Sequence, residues 1–439
     1  MITEENKQLA RWAMDYALHH GAQQARILLY TESSTSFDLR NGRMDRLQQA
    51  SESGLGITLF VDGRFGTFST NRLHQEELKP FIRHSVESTR YLAEDPCRVL
   101  PEASRYYQGG LPDLQQFDAC YFTYEPDEKV ALAKAAAEEI LGSDDRIISV
   151  ETSFSDGESG SYRLASNGFE GERRGTSFGL SASVALKDVG DARPASYWYE
   201  SSLFYDQLVK TGCGTKAYER ALRKLGQRKV ASGRYTMVVD TLCVRQLLAP
   251  MISALYGSAL HQKNSFLMDS LGKQVASPLF NLLDEPHLIG ANGARYFDGE
   301  GVATRPMPVF EEGVLRTYYI DTFSAKKMAV EPTIASPSLL VMMPGEKNLD
   351  ELVAEVSQGI LVTGFNGGNC NSSTGDFSYG VEGFLIEHGQ LTQPINEMVV
   401  TGQMSDLWNH LVAVGNDARS CNSWRIPSLT FEEVSFSGL

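Results

Sequence analysis

Zinc-dependent hydrolysis is the first chemistry to test, because two imidazoles one helical turn apart and a neighbouring carboxylate can hold the ion and activate its water. The eight histidines are His19, His20, His74, His84, His261, His287, His388 and His410. Apart from the adjacent His19 and His20, no two are closer than ten positions. No pair can therefore ligate from one helical face. Serine chemistry comes next, since Gly175-Thr176-Ser177-Phe178-Gly179 spells GxSxG. That motif works at a strained strand-to-helix turn. Here the alternation runs on through Leu180-Ser181-Ala182-Ser183-Val184, which reads as a strand. Gly212-Cys213-Gly214-Thr215-Lys216-Ala217 spells GxGxxA but follows a helical stretch, without the βαβ frame of a dinucleotide site. Gly272-Lys273 is followed by Gln274 and forms no phosphate loop.

Two further segments carry chemistry of a less defined kind. Asp298-Gly299-Glu300-Gly301 is a carboxylate-rich turn. Such a turn either takes a hard cation or makes local hydrogen bonds. Gly364–Gly380 is rich in glycine and small polar residues. It suits a backbone pressed against a ligand or another chain, and equally a long irregular loop. The six cysteines are scattered and form no CxxC pair, so they read as reduced, mostly buried thiols.

The elements that must position these residues follow from periodicity. Residues 4–20 carry an amphipathic helical stripe, and 74–91 are helical again. Between them, Arg26–Tyr30, Ser34–Leu39 and Gly54–Val61 read as strands, with hairpin turns at Asn41-Gly42 and Asp62-Gly63. Residues 94–125 are irregular. Asp127–Leu141 is an Ala-rich helix, and Ile147–Ser155, Gly160–Ser166, Gly168–Gly175 and Ser177–Leu186 are strands. Ser201–Leu225 is helical in pattern. Strand Tyr235–Val239 precedes an apolar, buried helix over Thr241–Leu260, and strands and turns dominate after about residue 275. The expectation is an α+β protein. An N-terminal mixed domain with antiparallel hairpins covers 1–95, a central α+β region covers 96–230, and a larger strand-rich domain covers 231–439.

Composition agrees with a folded chain. Of 439 residues, 40 are Lys or Arg and 55 are Asp or Glu, giving 40 − 55 = −15. That balance argues against a general nucleic-acid binder. The longest apolar run, near Leu339–Met343, falls far short of the ~20 residues of a membrane helix. The polar opening MITEENKQLARW has no apolar signal core, which points to the cytoplasm.

Several stretches taken together resemble the TldD/PmbA family, also called modulators of DNA gyrase. They are SFLMDSLGKQVASP (Ser265–Pro278), FDGEGVATRP (Phe297–Pro306), EEGVLRTYYIDTFSAKK (Glu311–Lys327) and STGDFSYGVEGFLIEHGQL (Ser373–Leu391). NGRMDRL (Asn41–Leu47), SGLGITLFVDGRFG (Ser53–Gly66) and the ending IPSLTF with Ser437-Gly438 fit as well. The resemblance implies a cytoplasmic two-subunit peptidase. In it one subunit, TldD, carries a zinc motif HExxxH on a helix with a later Cys as third ligand. The partner, PmbA or TldE, shares the fold without the metal motif.

This sequence departs from TldD at the metal. Alignment puts Ser253, Ala254 and Ser258 where His, Glu and His stand, and no His or Glu occurs in Leu248–Leu260. Cys421 falls near the third-ligand position as a relic. The resemblance thus implies a PmbA/TldE-like subunit with no catalytic or metal residue and no cofactor of its own, zinc being expected in a TldD-like partner. A heterodimer with that partner follows, or a homodimer when it is absent, with a peptide as substrate and no membrane or nucleic-acid contact. Ser265, Phe266, Asp298, Glu300, Gly367, Gly368, Gly375 and Asp376 are the candidates for a peptide cleft. Two alternatives stand beside this. One is an autonomous metallopeptidase with a rearranged site drawn from His261, His287, His388, His410 and Cys421. The other is a non-proteolytic modulator of gyrase or a toxin system.

Overall fold

A computed structural model describes residues 1–439. The first half runs α1 (Glu4–His19), β1 (Gln24–Arg40), β2 (Arg43–Val61), β3 (Arg64–Thr70), α2 (Gln75–Thr89), α3 (Pro126–Glu138), β4 (Ile147–Ala165), β5 (Phe169–Leu186), β6 (Ala195–Ser202) and α4 (Cys213–Arg223). Thr3 starts α1 with a reciprocal cap: its hydroxyl accepts the Asn6 N–H, and the Asn6 side chain accepts the Thr3 N–H. The six strands form one antiparallel sheet in the order β3-β2-β1-β4-β5-β6. Both expected hairpin turns are present, with φ of 50° and 72° at Asn41-Gly42 and 50° and 74° at Asp62-Gly63. That pair of left-handed residues matches the twist of the flanking strands.

The strands are longer than alternation alone implies. Arg26–Tyr30 and Ser34–Leu39 are one strand, and the four strands expected between 147 and 186 are two. Their middles are polar: Thr31–Ser36, Ser155–Ser161 and Arg173–Ser177. Side-chain pattern does not announce a strand there, yet the ladder continues because both neighbours supply backbone partners. Apolar residues occupy the two ends of the same strands. At one end α1 and α2 cover Ile27, Leu29, Ile57, Leu59 and Leu164. At the other α3 and α4 cover Phe37, Phe154, Phe178, Leu180 and Val184. The even spacing of Ile27, Leu29 and Phe37 keeps both cores on one face of β1. One sheet therefore spans the expected 95/96 boundary, with a separate core on either side of its polar waist. Beyond the waist, Arg43–Glu52 of β2 is exposed, and its outer edge pairs with no strand.

The second half begins with β7 (Gly233–Val239), α5 (Arg245–Ser253), α6 (Gly257–His261), β8 (Leu282–Asp284), β9 (Met307–Glu311), β10 (Val314–Leu315), α7 (Thr322–Met328) and β11 (Leu340–Met342). It continues with α8 (Leu349–Ala354), β12 (Gln358–Cys370), β13 (Asp376–Glu387), β14 (Gln390–Gln403), α9 (Met404–Asn409), β15 (Leu411–Val414), β16 (Trp424–Arg425) and β17 (Leu429–Ser437). A six-stranded sheet runs β14-β13-β12-β7-β17-β15, and β14 also pairs with β17, drawing the sheet towards closure. A five-stranded sheet runs β10-β9-β8-β11-β16. The protein is α+β and strand-rich, as expected, and no helix is long and apolar enough to cross a membrane.

Two helical expectations are corrected. Ser201–Leu225 holds the end of β6, a short 3-10 turn at Tyr205–Gln207, and only then α4. Gly212, with φ of 82°, sets the late start. Thr241–Leu260 is divided between α5 and α6. Pro250 removes a backbone donor inside α5. Tyr256 is extended, and the Gly257 N–H leaves the helical ladder to donate to Tyr319 O at 2.7 Å.

The largest core lies in this half and is centred on Trp408, which is fully buried. Its ring stacks on Phe280 at 4.4 Å and meets the edge of Phe431 at 5.5 Å. Trp408→Ala is expected to lower stability by about 3–5 kcal/mol, the cost of a large core truncation. Denaturant titration checks this through a lower midpoint; a loss under about 1 kcal/mol would contradict the packing described.

Candidate functional site

The segment that resembles a zinc helix offers no ligands. Ser253 ends α5 with its side chain exposed, Ala254 is buried, and Ser258 is exposed on α6. The Ala254 carbonyl accepts the Ser265 hydroxyl at 2.7 Å, and the same hydroxyl oxygen accepts the Leu267 N–H at 3.1 Å. Buried Ser265 thus clamps the following loop to the end of α5.

That loop meets the glycine-rich segment. The Phe266 N–H donates to Ser372 O at 3.1 Å, and Asn264 Oδ1 accepts the hydroxyls of Ser372 and Ser373. The Phe266 ring lies over Gly375, where an added Cβ would stand 3.1 Å from it. Asp376 accepts the Thr374 hydroxyl at 2.6 Å. Ser265, Phe266, Gly375 and Asp376 are therefore brought together at one end of the β12–β13 hairpin. Gly367 and Gly368 lie within β12, at a register shift between Asn366 and Asn369, both with positive φ. The segment is a regular hairpin with bulges and one short turn.

Asp298 and Glu300 stand apart from this group and serve as braces. Asp298 is fully buried. Its Oδ1 accepts the N–H groups of Glu300 at 2.8 Å and Val302 at 3.0 Å, and its Oδ2 accepts Ala335 N–H at 2.8 Å. Glu300 Oε2 accepts the N–H and hydroxyl of Thr322 at the start of α7, at 2.9 and 2.8 Å. Burial is the main cause that pushes the Glu300 carboxyl above its usual range, against those hydrogen bonds. Of the two roles open to this turn, the structure shows local hydrogen bonding.

The dispersed histidines do not converge either. His287 lies 3.2 Å from the Thr304 hydroxyl, and His410 Nδ1 lies 2.8 Å from Asp406 O. His388 holds the β13–β14 turn with φ of 49°, and His261 lies against Phe323 at 5.6 Å. Cys421 lines a polar cavity of about 1200 Å³ between the first sheet and the second half, which neither Ser253 nor Ser258 reaches. No group of three or more His, Cys, Asp or Glu side chains is arranged to hold a metal ion. A zinc site of the HExxxH-plus-Cys kind does not fit these residues. Ser177 of the GxSxG sequence lies within β5, where no strained turn activates it. Sequence reasoning missed the arginines that line the same cavity, Arg173, Arg174, Arg295 and Arg425. The one available signal was the Arg173-Arg174 doublet in the middle of a strand.

Fold and site define a class of protein: a long antiparallel sheet with helices on one face, joined to a strand-rich unit whose Leu248–Leu260 segment carries no His or Glu. Three domain profiles match the chain. They are the PmbA/TldA metallopeptidase domain 1 at residues 25–89, the central domain at 122–225 and the C-terminal domain at 232–438. The chain belongs to this family. It is 25% identical over 417 residues to metalloprotease PmbA of Escherichia coli O157:H7, covering 94% of this chain and 92% of that one. It is 26% identical over 440 residues to the PmbA homologue of Haemophilus influenzae, covering 99% and 96%. A crystal structure from Bacteroides thetaiotaomicron, described as a candidate modulator of DNA gyrase, is 62% identical, covers 100% of both chains and superposes with a TM-score of 0.98. TldE of Thermococcus kodakarensis shares the fold at 19% identity and a TM-score of 0.83, over 98% of this chain and 99% of that one.

The Glu300 carboxyl gives a pH prediction. A carboxyl raised in the folded state contributes stability that is present below the ordinary value of 4.5 and is lost as pH rises through its folded-state value. Glu300→Gln removes the buried charge, so the variant gains relative to wild type as pH rises from about 4 to 7. Paired denaturation curves across that range check the sign; a difference that does not change with pH would contradict it.

Proposed function

We propose that this chain is the PmbA/TldE-type subunit of a two-subunit metallopeptidase, taking part in peptide processing while a TldD-type partner supplies the zinc. The observation that carries the reading is the donor set. The segment aligned with the zinc helix presents Ser253, Ala254 and Ser258, and Cys421 has no companion ligand. A catalytic zinc normally takes three protein ligands and leaves one position for water. A general base is lacking at the same place, so water activation falls to the partner. The family's name and its relatives' designation as metalloproteases support peptide hydrolysis as the activity of the assembly. The name that links relatives to DNA gyrase suits an indirect connection, since a formal charge of −15 offers no general basic face to DNA. A cytoplasmic setting belongs to the same proposal, supported by six free cysteines.

Co-expression with a TldD-like chain from the same genome tests the reading. The expected outcome is a stable complex that cleaves unfolded peptides, with neither cleavage nor chelator sensitivity in this chain alone. Chelator-sensitive peptidase activity of the purified chain by itself would overturn it.

A further inference from the structure

The cavity between the two halves is lined by four arginines that form no ion pair, together with Glu32, Asp113, Glu158 and Glu172. Arg173 and Arg174 come from the waist of β5, Arg295 from the loop before Asp298, and Arg425 from β16. None of the four takes part in an ion pair. Buried or half-buried guanidinium without a carboxylate opposite is costly, so it is normally paired.

The four are not equivalent. Arg295 is satisfied by the protein: Nε donates to the Ser338 hydroxyl at 2.8 Å, and Nη2 donates to the carbonyls of Ser336 at 2.6 Å and Pro337 at 3.0 Å. It braces a loop. Arg174 is exposed and lies 4.6 Å from the centre of the Phe117 ring. Arg173 rests 4.3 Å over the Phe297 ring and makes one long bond, from Nη2 to Asp298 O at 3.3 Å, while its Nε has no partner. Arg425 has a buried, unpartnered Nε as well.

Several of the carboxylates nearby are held by other groups. Glu158 is held by the N-terminal ammonium at 2.9 Å, and Glu172 by Lys7 at 2.8 Å. Asp298 and Asp284 accept backbone N–H groups. Glu32 and Asp113 also line the cavity, and neither forms an ion pair with these arginines. Burial, with Arg295 and Arg163 close by, pushes the Arg173 guanidinium down to about 9, still charged at neutral pH.

We propose that this cavity binds an oxyanion through Arg173 and Arg425, and that the natural anion is the terminal carboxylate of a peptide. Planar guanidinium matches a carboxylate with two parallel donors. A volume of about 1200 Å³ has room for several residues behind that carboxylate. The choice of a peptide rests on the proposed peptidase role; the choice of an oxyanion rests on the arginines alone.

Calorimetric titration of the full-length chain tests this without any partner and without a cleavage readout, so its failure is distinct from failure of complex formation. The probes are an N-acetylated alanine tetrapeptide with a free carboxylate, the same peptide as a C-terminal amide, and inorganic phosphate. The free acid is expected to bind at least about tenfold more tightly than the amide, the size of one charge-assisted contact. Arg425→Gln should erase that difference by weakening the acid more than the amide, and phosphate should compete with the acid on wild-type protein. Phosphate binding that Arg425→Gln removes, with no peptide binding, would support the anion site and overturn its link to peptides. Equal binding of acid and amide, or binding of neither acid nor phosphate to wild-type protein, would overturn the proposal outright.

Discussion

The structure depends on strands that are apolar at both ends and polar in the middle. β1, β4 and β5 are 17, 19 and 18 residues long. At ~3.3 Å per residue each extends for roughly 60 Å, farther than one helical layer covers. Two helix pairs cover the two ends and leave the waist outside both apolar cores. On the helix side the waist is neutralised by pairing: Lys129 lies 2.9 Å from Asp156, and the Tyr121 hydroxyl donates to Asp156 at 2.7 Å. Arg173 pairs in register with Ser161, opposite in parity to Asp156, and so faces the second half of the chain. On that side Arg173 forms no ion pair and rests over the Phe297 ring.

In the second half, the segment compared with a zinc helix makes structural contacts. Ala254 and Ser265 show how. Where a metal helix would present donors, a backbone carbonyl accepts a serine hydroxyl and closes a loop. Asp298 and Glu300 show the same economy, each consumed by backbone N–H groups or by Thr322.

Much of the architecture was legible in the sequence. Asn41-Gly42 and Asp62-Gly63 named their turns because two left-handed residues in succession are demanding enough to leave a signature. The helical stripe of α1 and the Ala-rich α3 were equally plain. Strand continuity through Thr31–Ser36 and Ser155–Ser161 was not, since it depends on partners far away in sequence. The break after Ser253 was hidden for a related reason: Gly257 donates to Tyr319, which no local pattern foretells. Of the candidate cleft residues, Phe266 and Gly375 meet across more than a hundred positions, while Asp298 and Glu300 were selected by charge and turned out to be braces. The arginine-lined cavity needed the fold, because Arg173, Arg295 and Arg425 reach its lining from distant parts of the chain.

The central claim is that this chain has no set of side chains able to hold a catalytic metal. Elemental analysis of the purified protein after exposure to excess zinc and removal of the free ion measures it directly. The account predicts a zinc content far below one equivalent per chain and unaffected by Cys421→Ala. A full equivalent retained by the wild type and lost in Cys421→Ala would contradict it.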